Sequence, residues 1–334
     1  MEELRPLTLG EIIDRAVSFW RRRWRPMFVL YLGFALGGYA IYKGGRLIVD
    51  ARFPAARELF FAADLRALAG AGQHLDELLG GAAVMSASLW LYMLVGAIGS
   101  VAVTRYAMLT YLGQAIKPGE ALRESAVRAP RTLGLLVMQT MWTLLVIALA
   151  MVPGVGLIAL GVRAENAAGA LGGVLGLFLA FAGAGVAVLW SILRFFLTSQ
   201  LVAMEDLPLW RLFVRSGQLT SGRVAPGFGG LVKVRLTVLL TVMGIVLMLV
   251  SLIGGLPQIV LQVLYSPSLG RLSDTYVPAA LLVPAELLDT VFTAVITPIY
   301  VVFQTLVYVD VRVRREGLDL KLKLSSAAEA LKAA

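Results

Sequence analysis

Six long apolar stretches dominate this 334-residue chain and restrict its fold more than any motif does. They run approximately Pro26–Tyr42, Ala82–Val103, Leu133–Val152, Ala170–Leu193, Leu236–Gly255 and Val291–Val309. A helix of roughly 20 mostly apolar residues matches the ~30 Å hydrocarbon layer of a bilayer. Backbone amides inside that layer have no water to bond, so a helix spans it and irregular chain does not. The expected fold class is therefore all-α: a polytopic membrane protein with six transmembrane helices, cytoplasmic interfacial amphipathic helices and three helix-plus-hairpin units. One integral membrane domain is expected over residues 1–320, with an external loop at 43–81 and a cytoplasmic tail at 321–334. Composition agrees, being 59% hydrophobic and 15% charged, which excludes a soluble multidomain enzyme. The absence of cysteine excludes a disulfide framework, a Cys-ligated metal and thiol chemistry.

Lysine and arginine then orient the chain. Counted over alternate segments from the N-terminus, 23 of the 30 basic residues fall on the side of both termini and seven on the other. The positive-inside rule puts both termini and the second and fourth loops in the cytoplasm. Residues 1–25 hold six arginines and four carboxylates and lack the apolar core of a cleavable signal, so the first span is expected to be an uncleaved anchor. The bias toward Arg over Lys, with abundant Ala, Gly and Leu, fits a high-GC bacterial genome, and the expected location is a bacterial inner membrane. Lys43 and Arg46 are expected to snorkel from the end of the first span to the headgroups.

The cytoplasmic segments carry amphipathic patterns. Over residues 8–24, Ile12, Ile13, Ala16, Val17, Trp20 and Trp24 recur at helical spacing, with Arg15, Arg21 and Arg22 opposite. Thr8 and Glu11 have the spacing of a capping box. A similar stretch opens at Pro118 in the second loop. Another opens at Pro208 in the fourth, where Leu209, Leu212, Phe213 and Leu219 share a face and Arg211 and Arg215 accompany it. Helices with Trp on one side and Arg on the other belong in the headgroup layer. The candidate surface for anionic lipid, or for a membrane or envelope protein partner, is therefore Trp20, Trp24, Arg21, Arg22 and Arg23 with Arg211 and Arg215. Arg312, Arg314 and Arg315 join it after the last span; each such cation contributes about 1 kcal/mol near an anionic leaflet. Nucleic acid is not an expected partner, because these charges are scattered among Trp and Leu at membrane junctions.

The last span carries a polar stripe: Glu286, Asp289, Thr290, Thr293, Thr297, Gln304 and Tyr308 repeat at three, four or seven residues. Pro298 within it predicts a kink. An ionisable residue inside a membrane is a functional candidate because leaving it unpaired there is costly. Counting back from Asp310, however, puts Asp289 near the outer boundary and Glu286 beyond it, where wet carboxylates are the alternative. In the external loop, Pro54–Ala69 reads as an amphipathic helix. His74, beside Asp76 and Glu77, reads as a solvated histidine rather than a metal ligand. No metal, cofactor or catalytic set is expected. Gly154, Gly156, Gly172, Gly173, Gly176, Gly183 and Gly185 read as close helix packing, since no strand precedes them and no phosphate-loop lysine follows.

Four segments carry a family resemblance: LRPLTLGEIIDRA from Leu4, the Val152-Pro153-Gly154 turn, EDLPLWRLFVRSGQLTSG from Glu205, and RVRREG from Arg312. In order and membrane position they resemble the membrane-domain family of glycerophosphoryl diester phosphodiesterases, together with its stand-alone relatives. The resemblance implies family positions at Glu205, Arg215, Ser216, Gly222, Asp310 and Gly317. Two departures stand out. Gly217 occupies a place where the family usually has a bulky aromatic, and about 50 residues separate Gly154 from Glu205. The fourth span is thus expected to be differently arranged. The fused relatives' catalytic barrel is not expected here, because 25 residues follow Val309 and a barrel needs on the order of 200.

Two functions follow. The first is a non-enzymatic inner-membrane protein that organises lipid or partner proteins at the cytoplasmic face. The second is a small transporter or channel for an ion, lipid or amphiphile, using the polar stripe of the sixth segment.

Overall fold

A computed structural model describes residues 5–61, 74–164, 167–224, 227, 230–265, 277–318 and 320. Among them are nine helices and no strand: α1 (Leu9–Arg52), α2 (Pro54–Phe61), α3 (Leu75–Tyr111), α4 (Pro118–Ala164), α5 (Ala167–Phe195), α6 (Thr198–Met204), α7 (Leu209–Thr220), α8 (Val232–Tyr265) and α9 (Ala279–Glu316). Six helical stretches, formed by α1, α3, α4, α5 with α6, α8 and α9, are long and apolar enough to cross a membrane. The chain is an all-α, multi-pass membrane protein, and each apolar stretch of the sequence lies within one of these helices.

Their surfaces suit hydrocarbon rather than water. Phe178 and Phe181 of α5 are more than two-thirds exposed, as are Met141 of α4 and Leu264 of α8, to within a few parts in a hundred. α9 differs: half of its most apolar window is buried, against 6% for α4. Its buried run from Val301 to Val311 includes Tyr308 and Asp310.

Proline and glycine shape these helices more than they interrupt them. In α1 the backbone breaks at Arg23 (φ −127°, ψ 18°). Pro26 is the cause, because it offers no N–H to the Arg22 carbonyl and its ring crowds that turn. The amphipathic stretch and the first span are thus two helices joined at a kink. The second loop departs from the expected plan. There Pro118 starts α4 directly, with the Lys117 amide donating to Glu120 (3.3 Å), and the helix runs without a break into the span. Of the three amphipathic stretches, the first is set off by the kink and the second is continuous with its span, while α7 has its own start and end.

The expected turn at Val152-Pro153-Gly154 is also absent. α4 continues through it to Ala164. An interior proline costs one backbone bond, while the glycines beside it bring α5 into backbone contact. A Cβ at Gly154 would strike the Gly176 carbonyl and Ala180, one at Gly161 the Gly169 carbonyl, and one at Gly183 the Ala150 carbonyl. Gly154, Gly176 and Gly183 therefore pack two helices, as expected, whereas a Cβ on Gly156 or Gly185 would meet nothing within 4 Å; the proline lies inside a helix rather than at its end.

The described residues divide into two compact units. The first holds Gly10–Val127 and Thr241–Leu306; the second holds Arg128–Leu240 with the described parts of 3–9 and 307–334. In the first, Gly38, Gly45 and Gly99 let α1 and α3 approach, since added Cβ atoms would meet Tyr92, Ser88 and Phe34. In the second, α7 packs on α5 and α6, with Leu212 and Phe213 buried. The amphipathic stretch of the first loop is helical as far as Phe61; its continuation to Ala69 and the tail at 321–334 lie outside the described residues.

Candidate functional site

The first unit encloses a cavity of about 540 Å3. Its wall comes from the second half of α1, the middle of α3, Gln258 of α8, and Glu286, Asp289, Thr290 and Thr293 of α9. The upper part of the predicted polar stripe therefore shares one space. Spacing of three, four and seven residues puts these four side chains on one helix face.

Glu286 is fully engaged there. Lys43 Nζ reaches its two carboxylate oxygens at 2.9 and 2.6 Å, and the Tyr39 hydroxyl donates to Oε2 at 2.8 Å. Lys43 is 17% exposed and Glu286 11%. Lys43 thus turns inward to a carboxylate instead of snorkelling outward, because a desolvated carboxylate draws the nearest ammonium more strongly than a headgroup layer competes for it. Arg46 also lines the cavity. Asp289 has a different situation: among the described residues it makes no hydrogen bond or ion pair. It packs against the backbone of α8, where an added Cβ on Gly254 would lie 3.1 Å from its Oδ1. Aromatic residues complete the wall, with Tyr42 and Tyr92 tilted at 59° and their centroids 6.4 Å apart.

The lower part of the stripe does not reach the cavity. Thr297 hydrogen-bonds the Tyr31 hydroxyl, and Gln304 is buried beside Tyr300. Pro298 leaves the Ala294 carbonyl without its usual donor. One residue on, the Val295 carbonyl accepts a hydrogen bond from Trp20 Nε1 (3.1 Å). Trp20 is accordingly an internal anchor. Trp24 and Arg21, Arg22, Arg23 and Arg25 stay exposed, with Arg22 Nε donating to the Ser18 carbonyl (3.3 Å).

In the second unit the basic collar largely turns inward. Arg215 pairs with Glu205 through Nε and with Glu316 through Nη2 at 2.9 Å. Arg312 Nε reaches Glu316 at 3.0 Å, and its Nη1 donates to the Tyr308 hydroxyl at 2.9 Å. Tyr308 in turn donates to Glu205 at 2.9 Å. Two carboxylates, two guanidiniums and a phenol thus close a ring of zero net charge. Burial alone would lower the pKa of Arg215, but the hydrogen bond and charge of Glu205 outweigh it and raise the pKa.

A second set holds the chain's opening residues. Asp310, 2% exposed, accepts from the Leu7 amide at 2.8 Å and from Arg314 Nε at 3.0 Å, and pairs with Arg235 at 3.1 Å. The same two arginines donate to the Leu7 carbonyl, Arg314 at 2.7 Å. Both backbone groups of a buried residue are satisfied by side chains, with no secondary structure involved.

Arg315 caps α7. Its Nη1 donates to the carbonyls of Gln218, Leu219 and Ser221, groups that a helix end leaves unpaired. Gly222 follows in the left-handed region (φ +89°), as does Gly317 (φ +60°) after α9, where a Cβ is unfavourable. Ser216 donates to the Arg194 carbonyl (2.8 Å). The Arg194 guanidinium lies over Trp142, Trp190 and Phe213 at 4.7, 5.3 and 5.4 Å. A Cβ on Gly217 would lie 3.5 Å from that guanidinium, in van der Waals contact with it. Of the expected lipid surface in this unit, Arg211 remains exposed beside Trp210. Arg215, Arg312, Arg314 and Arg315 are occupied by protein groups.

Asp206 sits in the α6–α7 connection, where the hydrogen bond from Arg131 and the charge of Arg128 hold its carboxyl below the usual range. His74 is solvated as expected, 54% exposed and 3.7 Å from Glu77. Among the described residues no three His, Asp or Glu side chains gather to hold a metal ion.

Sequence reasoning missed Lys43 and Tyr39 as partners of the stripe, Arg235 and Leu7 as partners of Asp310, and the Arg194 cage. Tyr31, Tyr39 and Tyr42 do share an α1 face at spacings of eight and three, a signal present in the sequence. The chain matches no family model, no curated protein and no solved structure.

Proposed function

We propose that this is a non-enzymatic protein of a bacterial inner membrane, with both termini in the cytoplasm, that binds an amphiphile in the α1–α3–α8–α9 cavity. The observation that carries the reading is the cavity itself. Its volume of about 540 Å3 suits a headgroup with its adjoining carbons, and its wall combines ionic groups with aromatic rings. The second half of α1, the middle of α3, Gln258 near the end of α8 and the start of α9 line it, so a cytoplasmic N-terminus puts it in the outer half of the membrane. A binding site fits this geometry better than a conduit, because Thr297 and Gln304 below it are already engaged with Tyr31 and Tyr300. The test is native mass spectrometry of the protein released from lipid nanodiscs. Retained lipid is expected on the wild type and reduced on Thr293→Phe, which fills the cavity. Equal retention on both would overturn the reading.

A second contact, with anionic lipid at the cytoplasmic face, is supported by the exposed Trp24 with Arg21 and Arg23 and by the exposed Trp210 with Arg211. Substituting the three arginines by glutamine is expected to weaken binding of phosphatidylglycerol relative to wild type. Arg215, Arg312 and Arg314, paired with carboxylates, and Arg315, held by the carbonyls at the end of α7, take no part.

A further inference from the structure

The cavity contains two carboxylates of unlike status, and the difference points to the ligand's headgroup. Glu286 has its counter-charge within the protein, in Lys43 and the Tyr39 hydroxyl. Asp289, one turn along the same helix face, has neither an ion-pair partner nor a hydrogen-bond donor among the described residues. A carboxylate in a partly desolvated wall needs a cation, a donor or a proton to offset the loss of water. Lys43 is already held by two short bonds, and Arg46 has interactions of its own. The missing partner can therefore come with a ligand.

We propose that Asp289 selects an amphiphile whose headgroup carries a cationic amine, and that the headgroup is zwitterionic. This rests on the reading of the cavity as an amphiphile site. Three features support it. The amine supplies the charge-assisted hydrogen bond that Asp289 lacks. Tyr42 and Tyr92, tilted against one another in the wall, present ring surface that favours a cation over an anion. Lys43 and Arg46 balance Glu286 and Asp289 in formal charge, so the wall as a whole is neutral. A ligand that brings one positive and one negative group matches such a wall; a purely anionic headgroup would meet Asp289 as a like charge.

The experiment uses the full chain in nanodiscs containing equimolar phosphatidylethanolamine and phosphatidylglycerol with identical acyl chains, read by native mass spectrometry. Wild type is expected to retain phosphatidylethanolamine over phosphatidylglycerol by roughly ten-fold, the ratio a single charge-assisted hydrogen bond supplies. Asp289→Asn is expected to lose that preference and Asp289→Glu to keep part of it, with the melting temperature of each confirming the fold. Lack of preference in wild type overturns the proposal without recourse to any variant. So does a preference that survives Asp289→Asn, since the selection would then lie elsewhere. These outcomes leave the amphiphile site standing if Thr293→Phe still removes bound lipid. If Thr293→Phe removes none, the site itself is lost, and the headgroup proposal falls with it.

Discussion

At the scale of single residues, charge and burial decide most of what distinguishes this protein. The ring through Glu205, Arg215, Glu316, Arg312 and Tyr308 makes unequal demands on its members. Glu205→Gln removes a charge facing two guanidiniums, and breaking a buried pair costs on the order of 3 kcal/mol. Tyr308→Phe removes a hydroxyl bonded to one carboxylate and one guanidinium but leaves the charges paired, and is expected to cost about 2 kcal/mol. Thermal unfolding in detergent should show the larger loss for Glu205→Gln; equal losses would mean that the phenol, not the charge pair, holds the ring. Asp206 offers a pH test. Its folded pKa is depressed by Arg131 and Arg128, so its stabilising contribution is complete above the ordinary carboxylate value and is lost as pH falls through the lowered one. Wild type and Asp206→Asn should therefore differ by a constant, small amount above about pH 5 and converge as the pH falls below the ordinary carboxylate value through the depressed one. The side chain is 71% exposed, which keeps the effect modest.

Elements show where local sequence rules hold and where packing overrides them. Capping and proline rules located the starts of α4 at Pro118 and α7 at Leu209, and Pro26 marked the break in α1. The turn that the family resemblance implied at Pro153 is instead helix. The adjacent Gly154 serves contact with α5, and that requirement comes from another helix. Two neighbouring substitutions separate the roles. Gly154→Leu would force a side chain into Gly176 and Ala180 and is expected to destabilise by about 1–3 kcal/mol. Gly156→Leu, with nothing within 4 Å, should leave the melting temperature unchanged within a degree or two. Since leucine is the better helix former at either position, similar losses at both would show that the close approach of α5 at Gly154 is not what is being measured. The polar stripe of α9 was legible as periodicity, yet the division between its cavity-lining part and its internally bonded part was not. Tyr31 and Tyr300 decide that division, and neither announces its partner in the sequence.

For the whole molecule, orientation is the property most open to direct measurement. The chain has no cysteine, so each introduced thiol reports alone. With both termini inside, as proposed, Cys at position 76 should react with a membrane-impermeant maleimide on intact spheroplasts, whereas Cys at 24 or 211 should react only after lysis. The reverse pattern would invert the topology and move the cavity to the inner leaflet.

The number of spans, the all-helical class and the bias of basic residues were readable from the chain. They arise because hydrocarbon imposes one local rule of length and polarity on every segment that crosses it. Which charges face protein and which face solvent was not readable. Lys43 and Glu286 are 243 residues apart, and Leu7 and Asp310 are 303 apart. Arg211 and Arg215 look alike on paper, yet one is exposed and the other closes an ion ring. Electrostatic partnership depends on distances of a few ångströms between segments remote in sequence, and packing alone sets those distances.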